Sequence, residues 1–556
     1  MAYSNRRIYQ LLLFFLVAAG FLVLRLFYLQ IIHGPQLALE GLSIRVQELP
    51  VEVARGEILD CNRLPLTSTS QQYNVIVFPG QIEHKTGQAL HKLDTIIDLP
   101  QVQLDMALRR LSTSQYPFRL AKDIGYDAAR KINEMQIPGI VAVAEKVRYG
   151  HGALAAHVVG YINAADNKGV SGIEGMYDEL LHGSQPEYVA ALVDAGQQLI
   201  PGLGYKRMKL TAGNRESNII LTIDKHIQQK VEEVMDHTMV KGAVVVMRPH
   251  TGEVLAMASR PAFDANNLSH YLDQNSAPLL NRAISAYQPG SVFKLVVAAA
   301  ALESKTVRMD DSFFDQGFID VNNVRFQGWD YEQGPKGRLT LTEAMAHSSN
   351  PVFIEIALKL GADKLITMAQ KLGYGSRTKL DFWGESKGNL PESDQLYPGD
   401  LANLAIGQGF CEATPVQLAQ MTATIVNDGI KVEPYIVSMF ASPDGAIVKK
   451  FQPSSAVRVM SRQTAERLRT MMAAVTQYGT GQAAYVEGAG SAGKTGSAET
   501  GRISSTGKGI NHAWFAGFTP LDRPQYVIVI FVEEGMSGSN VAAPIFREIA
   551  AAVLKQ

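Results

Sequence analysis

The residues best suited to chemistry lie in AYQPGSVFKLVVAAAALESK, where Pro289 and Gly290 make a turn and the apolar run after Ser291 reads as a helix. This sets Ser291 at a helix N-terminus with Lys294 on the same face, because positions i and i+3 are neighbours on a helix. A hydroxyl beside an amine is a nucleophile beside a base. Lysine serves as a base only when its pKa is lowered, and partial burial and the positive end of the helix dipole both disfavour its ammonium form. The free N–H groups of the same turn can bind an oxyanion. Ser-x-x-Lys alone is not specific, since it recurs at Ser376 to Lys379 and at Ser505 to Lys508, both in polar, glycine-containing surroundings. The turn before Ser291 and the long apolar run after it set that copy apart.

Two further stretches carry polar groups in suggestive settings. In AMAHSSNPVFIEIALKLG, Ser348 and Asn350 flank Ser349 just ahead of a second amphipathic helix. With Pro351 at the first helical position, ordinary capping accounts for a Ser or Asn there, and a second role can coexist with it. In SAGKTGSAE, Lys494, Thr495, Gly496 and Ser497 form a small, glycine-rich, strand-like run before HAWFAGF. Its glycines would let a substrate backbone approach an edge strand, with Lys494 and Thr495 holding a carboxylate. The tripeptide recurs at Lys85 to Gly87, so it too needs its context.

These stretches must be positioned by more than one domain, because 556 residues exceed what a single core supports. Residues 36–215 read as an irregular α+β region with strands such as YNVIVF (Tyr73 to Phe78), and a new domain over 217–556 opens with the strand NIILTID and the helix HIQQKVEEVMDHTMV. AVVVMRP and VLAMAS then read as two apolar strands joined at Thr251-Gly252-Glu253. At the N-terminus, Arg6 and Arg7 precede a stretch uncharged from Ile8 to Leu24, and the apolar run continues past Arg25 to Ile32. No small-x-small cleavage pattern closes it, so residues 8–32 are expected to be an uncleaved spanning anchor with a cytoplasmic N-terminus and the remainder outside. Lys plus Arg, 52, balance Asp plus Glu, 53, which gives no global field toward nucleic acid. With only Cys61 and Cys411, a disulfide framework and a cysteine-built metal site are excluded, and two free thiols are expected.

Taken in order, Ser291-Val292-Phe293-Lys294, Ser348-Ser349-Asn350 and Lys494-Thr495-Gly496 resemble the penicillin-binding proteins. RGEILD at Arg55 to Asp60, HVVGYI at His157, GIEGMYDELLHG from Gly172, and AIGQG and ATPVQLAQM around Gln408 and Thr414 extend the likeness to the class B, monofunctional group over nearly the whole chain. HAWFAGFTP and VEEGMSGSNVAAPIFREI lean toward the elongation, or penicillin-binding protein 2, type. The lack of an appended C-terminal repeat module disfavours sporulation-type relatives. Two departures stand out: DCNRLP has Cys61 and Arg63 where family members usually carry Arg and Gly, and Ser497 replaces a commoner Thr. Neither removes a reacting group.

The resemblance implies a multidomain protein: a transmembrane helix, an α+β pedestal, and an α/β serine transpeptidase domain whose central antiparallel sheet is flanked by helices. It implies that Ser291 attacks the carbonyl between the terminal D-alanines of a peptidoglycan stem peptide while Lys294 takes its proton. Ser348 would relay a proton to the leaving nitrogen, Asn350 would orient Lys294 and the substrate amide, and Lys494 with Thr495 would grip the carboxylate. The N–H groups of Ser291 and Ser497 would form the oxyanion hole. No cofactor or metal is implied; β-lactams are implied as inhibitors, a multi-span glycan polymerase as partner, and carboxypeptidase action as a side activity. A β-lactam hydrolase or an acylated membrane sensor would use the same Ser-x-x-Lys logic. Against the first stands the lack of an evident base for deacylation, and against the second the short cytoplasmic tail.

Overall fold

The computed structural model describes residues 5–34, 37, 46–82, 86–114, 116–150, 152–163, 166–194, 199–200, 204–208, 216–238, 241–380, 382–452, 456–504, 507 and 509–555. Lys85, Ser505, Lys508 and the expected domain limits 36 and 215 lie outside these residues. The apolar N-terminal sequence forms the helix Asn5–Phe27, continued by the turn Tyr28–Ile32. Arg6–Ile32, 27 residues with exposed side chains, is long and apolar enough to cross a bilayer, as a single-pass anchor requires.

The chain divides into two compact units, the first comprising 1–55, 69–148 and 182–216. Its strands form two three-stranded antiparallel sheets. One pairs Val46–Arg55, His182–Leu192 and Tyr205–Met208; the other has Ser70–Val77 between Phe118–Ala121 and Ile140–Val147. Side chains alternate along YNVIVF as a strand demands. Val75 and Val77 join Leu104 and Ile132 from the covering helices, whereas Ile76 and Phe78 join Val189 and Ala191.

The second unit comprises 56–68, 149–181 and 217–556. Segments 56–68 and 149–181, which the sequence reading places within 36–215, fold here. Ile58–Leu59 pairs in parallel with Asn218–Leu221, and Leu66, Val158, Val159 and Ile173 enter the main core. These are short apolar runs in loop-rich sequence, and their partners are distant in the chain.

The frame of this unit is an antiparallel sheet of β1 (Gly242–Met247), β2 (Val254–Arg260), β3 (Ala492–Ile503), β4 (Gly509–Thr519) and β5 (Tyr526–Val532), ordered β2-β1-β5-β4-β3. The expected hairpin is β1–β2. Around it lie α1 (Lys225–Thr238), α2 (Lys294–Glu303), α3 (Asn350–Leu360), α4 (Pro415–Val426), α5 (Arg462–Gln477) and α6 (Ala543–Val553). Val244, Val246, Ile528 and Ile530 pack with Ile227 of α1 and Phe546 of α6, while Ala243, Val245, Val529 and Phe531 pack into the core that holds α2 to α5. A sheet covered on both faces needs apolar residues at successive positions, which is why β1 and β5 read as continuous apolar runs. Every residue from Lys294 to Leu302 of α2 is buried, so this helix is enclosed on all sides.

Cys61 is exposed and Cys411 buried, and both are free. Partial burial together with Asp224 and Asp60 pushes the Cys61 thiol up to about 12, and full burial raises that of Cys411. Alkylation of the native protein near neutral pH is therefore expected to be slow at Cys61 and absent at Cys411, which reacts only after unfolding. Intact-protein mass spectrometry checks this, and fast double modification of the native chain would contradict it.

Candidate active site

Ser291 lies on a 3₁₀ turn, Gly290–Phe293, that runs directly into α2, whose first residue is Lys294. Gly290 has φ +54°, donates its N–H to Gly407 O at 3.0 Å, and has no room for a Cβ, which would fall 2.5 Å from Ser497 O. A Cβ on Gly496 would likewise meet Pro289 O at 2.7 Å. Two glycines thus let the turn that holds Ser291 lie backbone to backbone against β3 around Ser497.

Lys294 is wholly buried. Its Nζ donates to Ser348 O at 2.6 Å, Asn350 Oδ1 at 2.7 Å and Ser348 Oγ at 3.2 Å, and lies 5.8 Å from the centre of the Phe353 ring. The hydrogen bonds of the amine go to the Ser348–Asn350 turn, and Lys294 follows directly on the 3₁₀ turn that holds Ser291, beside whose hydroxyl the sequence reading places it. Burial, then repulsion from Lys494, hold its pKa well below the ordinary lysine range, while Asp330 and Asp315 act in the opposite direction.

The capping role in this turn falls to its middle residue. Ser349 Oγ accepts from Val352 N at 3.3 Å and donates to the buried Asp315 at 2.6 Å. Ser348, at φ +56°, and Asn350 are left to face the amine. Asn350 Nδ2 donates to Gln327 O at 3.1 Å, which orients its Oδ1 toward Lys294, and Trp329 Nε1 donates to His347 O at 3.0 Å.

Lys494, also wholly buried, lies on β3; its Nζ donates to Ser348 Oγ at 2.9 Å, Thr495 O at 3.0 Å and Thr495 Oγ1 at 3.4 Å. Burial pushes its pKa down to about 7. Ser348 Oγ is thus within hydrogen-bond reach of both amines. Thr495 Oγ1 is 2.7 Å from Thr480 Oγ1, and Ser497 Oγ accepts from Gly538 N at 3.2 Å. β3 is the outer strand of its sheet, paired with β4 alone. Its free edge borders a cleft of about 880 Å³ lined by Ser291, Ser348, Asn350, Thr495 and Ser497 among others.

The structure brings Ser291, Lys294, Ser348, Asn350, Lys494, Thr495, Gly496 and Ser497 together. Ser376 instead donates to Gly373 O at 3.4 Å, and the Thr86–Gly87 part of the other Lys-Thr-Gly copy begins a helix, not a strand. Thr480, Gln327, Trp329, Asp315 and Asp330 also shape the site, and the sequence reading misses them. A His-Ser-Ser-Asn turn gives no sign of which distant loops close over it. Among the described residues, no group of three or more His, Cys, Asp or Glu side chains is placed to hold a metal ion.

Comparison with known proteins identifies the domain that carries this cleft. The family model for the penicillin binding protein transpeptidase domain matches residues 242–551, and that for the penicillin-binding protein dimerisation domain matches 50–201. Stage V sporulation protein D of Bacillus subtilis is 30% identical over 98% of this chain and 85% of its own length. Penicillin-binding protein PbpB of Mycobacterium tuberculosis is 32% identical over 97% and 83%, and the peptidoglycan D,D-transpeptidase MrdA of Acinetobacter baumannii 28% over 98% and 88%. Identities from 28 to 32% do not sort the chain among these differently named relatives. Among solved structures, penicillin binding protein 3 of M. tuberculosis in complex with aztreonam aligns with TM-score 0.64 and 28% identity, covering 92% of this chain and 96% of that one. The D,D-transpeptidase domain of a peptidoglycan glycosyltransferase from Eggerthella lenta gives 0.62 and 29%, covering 75% and 93%. With more than half its residues under the transpeptidase model and the dimerisation model ahead of them, the chain belongs to the class B penicillin-binding proteins.

Proposed function

We propose that the cleft cross-links peptidoglycan by serine D,D-transpeptidation through an acyl-enzyme. The observation that carries this reading is the shared hydroxyl of Ser348, in contact with two buried amines, both of which burial holds toward their neutral forms. Ser291 Oγ attacks the carbonyl of the penultimate D-alanine and Lys294 accepts its proton. The N–H groups of Ser291 and Ser497, on backbones pressed together by Gly290 and Gly496, receive the developing oxyanion, a contribution of roughly 3 to 4 kcal/mol per donor in other acyl transfers. Ser348 passes a proton to the departing D-alanine nitrogen, and Asn350 orients Lys294 and the substrate amide. Lys494 and Thr495 bind the terminal carboxylate, and the open edge of β3 takes the peptide as an added strand. An acceptor amine then attacks the acyl-enzyme; water in its place gives carboxypeptidase action. β-Lactams acylate Ser291 as mimics of the dipeptide.

The hydrolase alternative needs a base at the acyl carbonyl. The one carboxylate among the described cleft-lining residues, Glu499, stands two positions beyond Ser497 on β3, roughly 7 Å along the strand. The N-terminal helix, with Arg6 and Arg7 on its cytoplasmic side, tethers the enzyme to the membrane with its catalytic domain outside. The pedestal region within 36–215 is the docking site for a multi-span glycan polymerase, and 217–556 is the transpeptidase domain.

Benzylpenicillin is expected to leave one adduct on the protein, at Ser291, that persists over hours and is missing in Ser291→Ala. Intact-protein mass spectrometry reads it. Rapid loss of the adduct would support a hydrolase instead, and no adduct would rule out acyl transfer.

The acylation rate also has a definite pH dependence. It rises with pH as Lys294 loses its proton, because only the neutral amine accepts one. Lys494 binds a carboxylate as an ammonium, so its contribution is complete below about 7 and fades above it. The result is a bell, and Lys494→Gln should lose the falling limb and at least about tenfold in rate, since a hydrogen bond to a charged group contributes roughly 1.5 to 3 kcal/mol and about 1.4 kcal/mol is a factor of ten. A falling limb unchanged in this variant would remove Lys494 from carboxylate binding.

A further inference from the structure

Two carboxylates act on Lys294 without a hydrogen bond to it. Asp315, 3% exposed, is fully engaged: it accepts from Gly317 N at 2.7 Å and from Ser349 Oγ at 2.6 Å. Asp330, 8% exposed, relies on an ion pair: the ammonium of Lys336 stands 2.6 Å from its Oδ2. The Lys336 side chain is itself only 23% exposed. Gly328 N, in the loop that carries Asp330, donates at 2.8 Å to Gly317 O, just past the strand Ser312–Asp315 that ends on the other acid. The stretch from Gln327 to Asp330 also grips both ends of the Ser348–Asn350 turn, through Gln327 O to Asn350 Nδ2 and Trp329 Nε1 to His347 O.

We propose that Lys336 is a positioning residue for acyl transfer. As the internal counter-ion of Asp330 it anchors the 327–330 loop on the turn that presents Ser348 and Asn350, and it keeps the charge of Asp330 from acting in full on Lys294. The inference rests on Lys294 being the base that activates Ser291.

Removing one partner of a buried ion pair leaves the other charge without compensation in a medium that screens poorly. The charged groups that face Lys294 are Lys494 from β3, Asp330 from its loop and Asp315 from the end of the strand Ser312–Asp315; Ser348, Asn350 and Phe353 are neutral. Without Lys336, the bare Asp330 carboxylate favours the Lys294 ammonium, so a higher pH is needed to free the amine. Without the Asp330 carboxylate, less opposes burial and Lys494, and the amine is freed at lower pH.

The test is the pH profile of the benzylpenicillin acylation rate, measured on the full chain in detergent. The rising limb is expected to move to higher pH in Lys336→Met, with about a tenfold loss on that limb for each unit of displacement. It should move to lower pH in Asp330→Asn, and return near its original position in the double variant. Lys336→Arg, which keeps the charge, should restore the single loss. Falling rates with unmoved limbs would mean that the pair only packs the loop, and unchanged profiles would remove Lys336 from the site; either overturns the proposal. Should Lys336→Met not fold, Asp330→Asn and the double variant, neither of which holds a bare Asp330 carboxylate, still decide. Failure of the underlying reading looks different: Lys294→Ala would then keep the rising limb of the unaltered protein.

Discussion

A lysine amine with no access to water is the constraint that organises this structure. Burying an ammonium in an apolar core costs several kcal/mol unless it is paired or gives up its proton. Lys294 sits at the start of a helix whose other buried positions are all apolar, so α2 itself offers no compensation. What surrounds the amine is a set of neutral oxygens, Ser348 O, Ser348 Oγ and Asn350 Oδ1, which can solvate it without fixing its charge. The full counter-charges, Asp315 and Asp330, are committed to other partners. Such an environment makes an amine that can take a proton and release it, which a tight ion pair would not.

That requirement explains features that otherwise look incidental. Ser348 is held in the left-handed region, at a cost of order 1 kcal/mol for a residue with a side chain, because only then do both its carbonyl and its hydroxyl face Lys294. Ser349, the residue between the two that contact the amine, takes over the cap of α3. The sheet contributes differently. It is covered on both faces, so the edge of β3 is where its backbone groups remain available, and Gly290 and Gly496 bring the turn that holds Ser291 against that strand.

How much of this is legible in the sequence depends on how local each feature is. Ser291 and Lys294 lie three positions apart on a continuous apolar run, and Lys494 to Ser497 lie on one strand, so local pattern finds them. The direction of the Lys294 side chain is not local, since its amine is held by the Ser348–Asn350 turn, more than fifty positions along the chain. Asp315 and Asp330 are harder still. Asp315 closes the short strand Ser312–Asp315 and Asp330 stands in polar loop sequence, and neither local pattern shows that the acid is buried beside the site. The placement of 56–68 and 149–181 was hidden for a related reason. A two-residue strand such as Ile58–Leu59 has no periodicity to read, and it becomes a strand because Asn218–Leu221 is there to pair with it.

The two departures from the family pattern follow the same logic, because each spares the groups that shape the backbone. In DCNRLP the turn is organised by Asp60, whose buried carboxylate accepts from Asn62 N at 2.8 Å, Leu64 N at 2.7 Å and Lys225 N at 3.1 Å. Arg63 holds φ +63°, a conformation natural to glycine that costs an arginine about 1 kcal/mol, less than three charge-assisted bonds return. Cys61 in the same turn sets its sulfur 3.8 Å from Asp224, so it keeps a polar neighbour that is also fixed by the first turn of α1. At Ser497 the hydroxyl accepts from Gly538 N, and that acceptor is common to serine and threonine. What the exchange removes is a methyl group at a position of β3 that is exposed and lines the cleft.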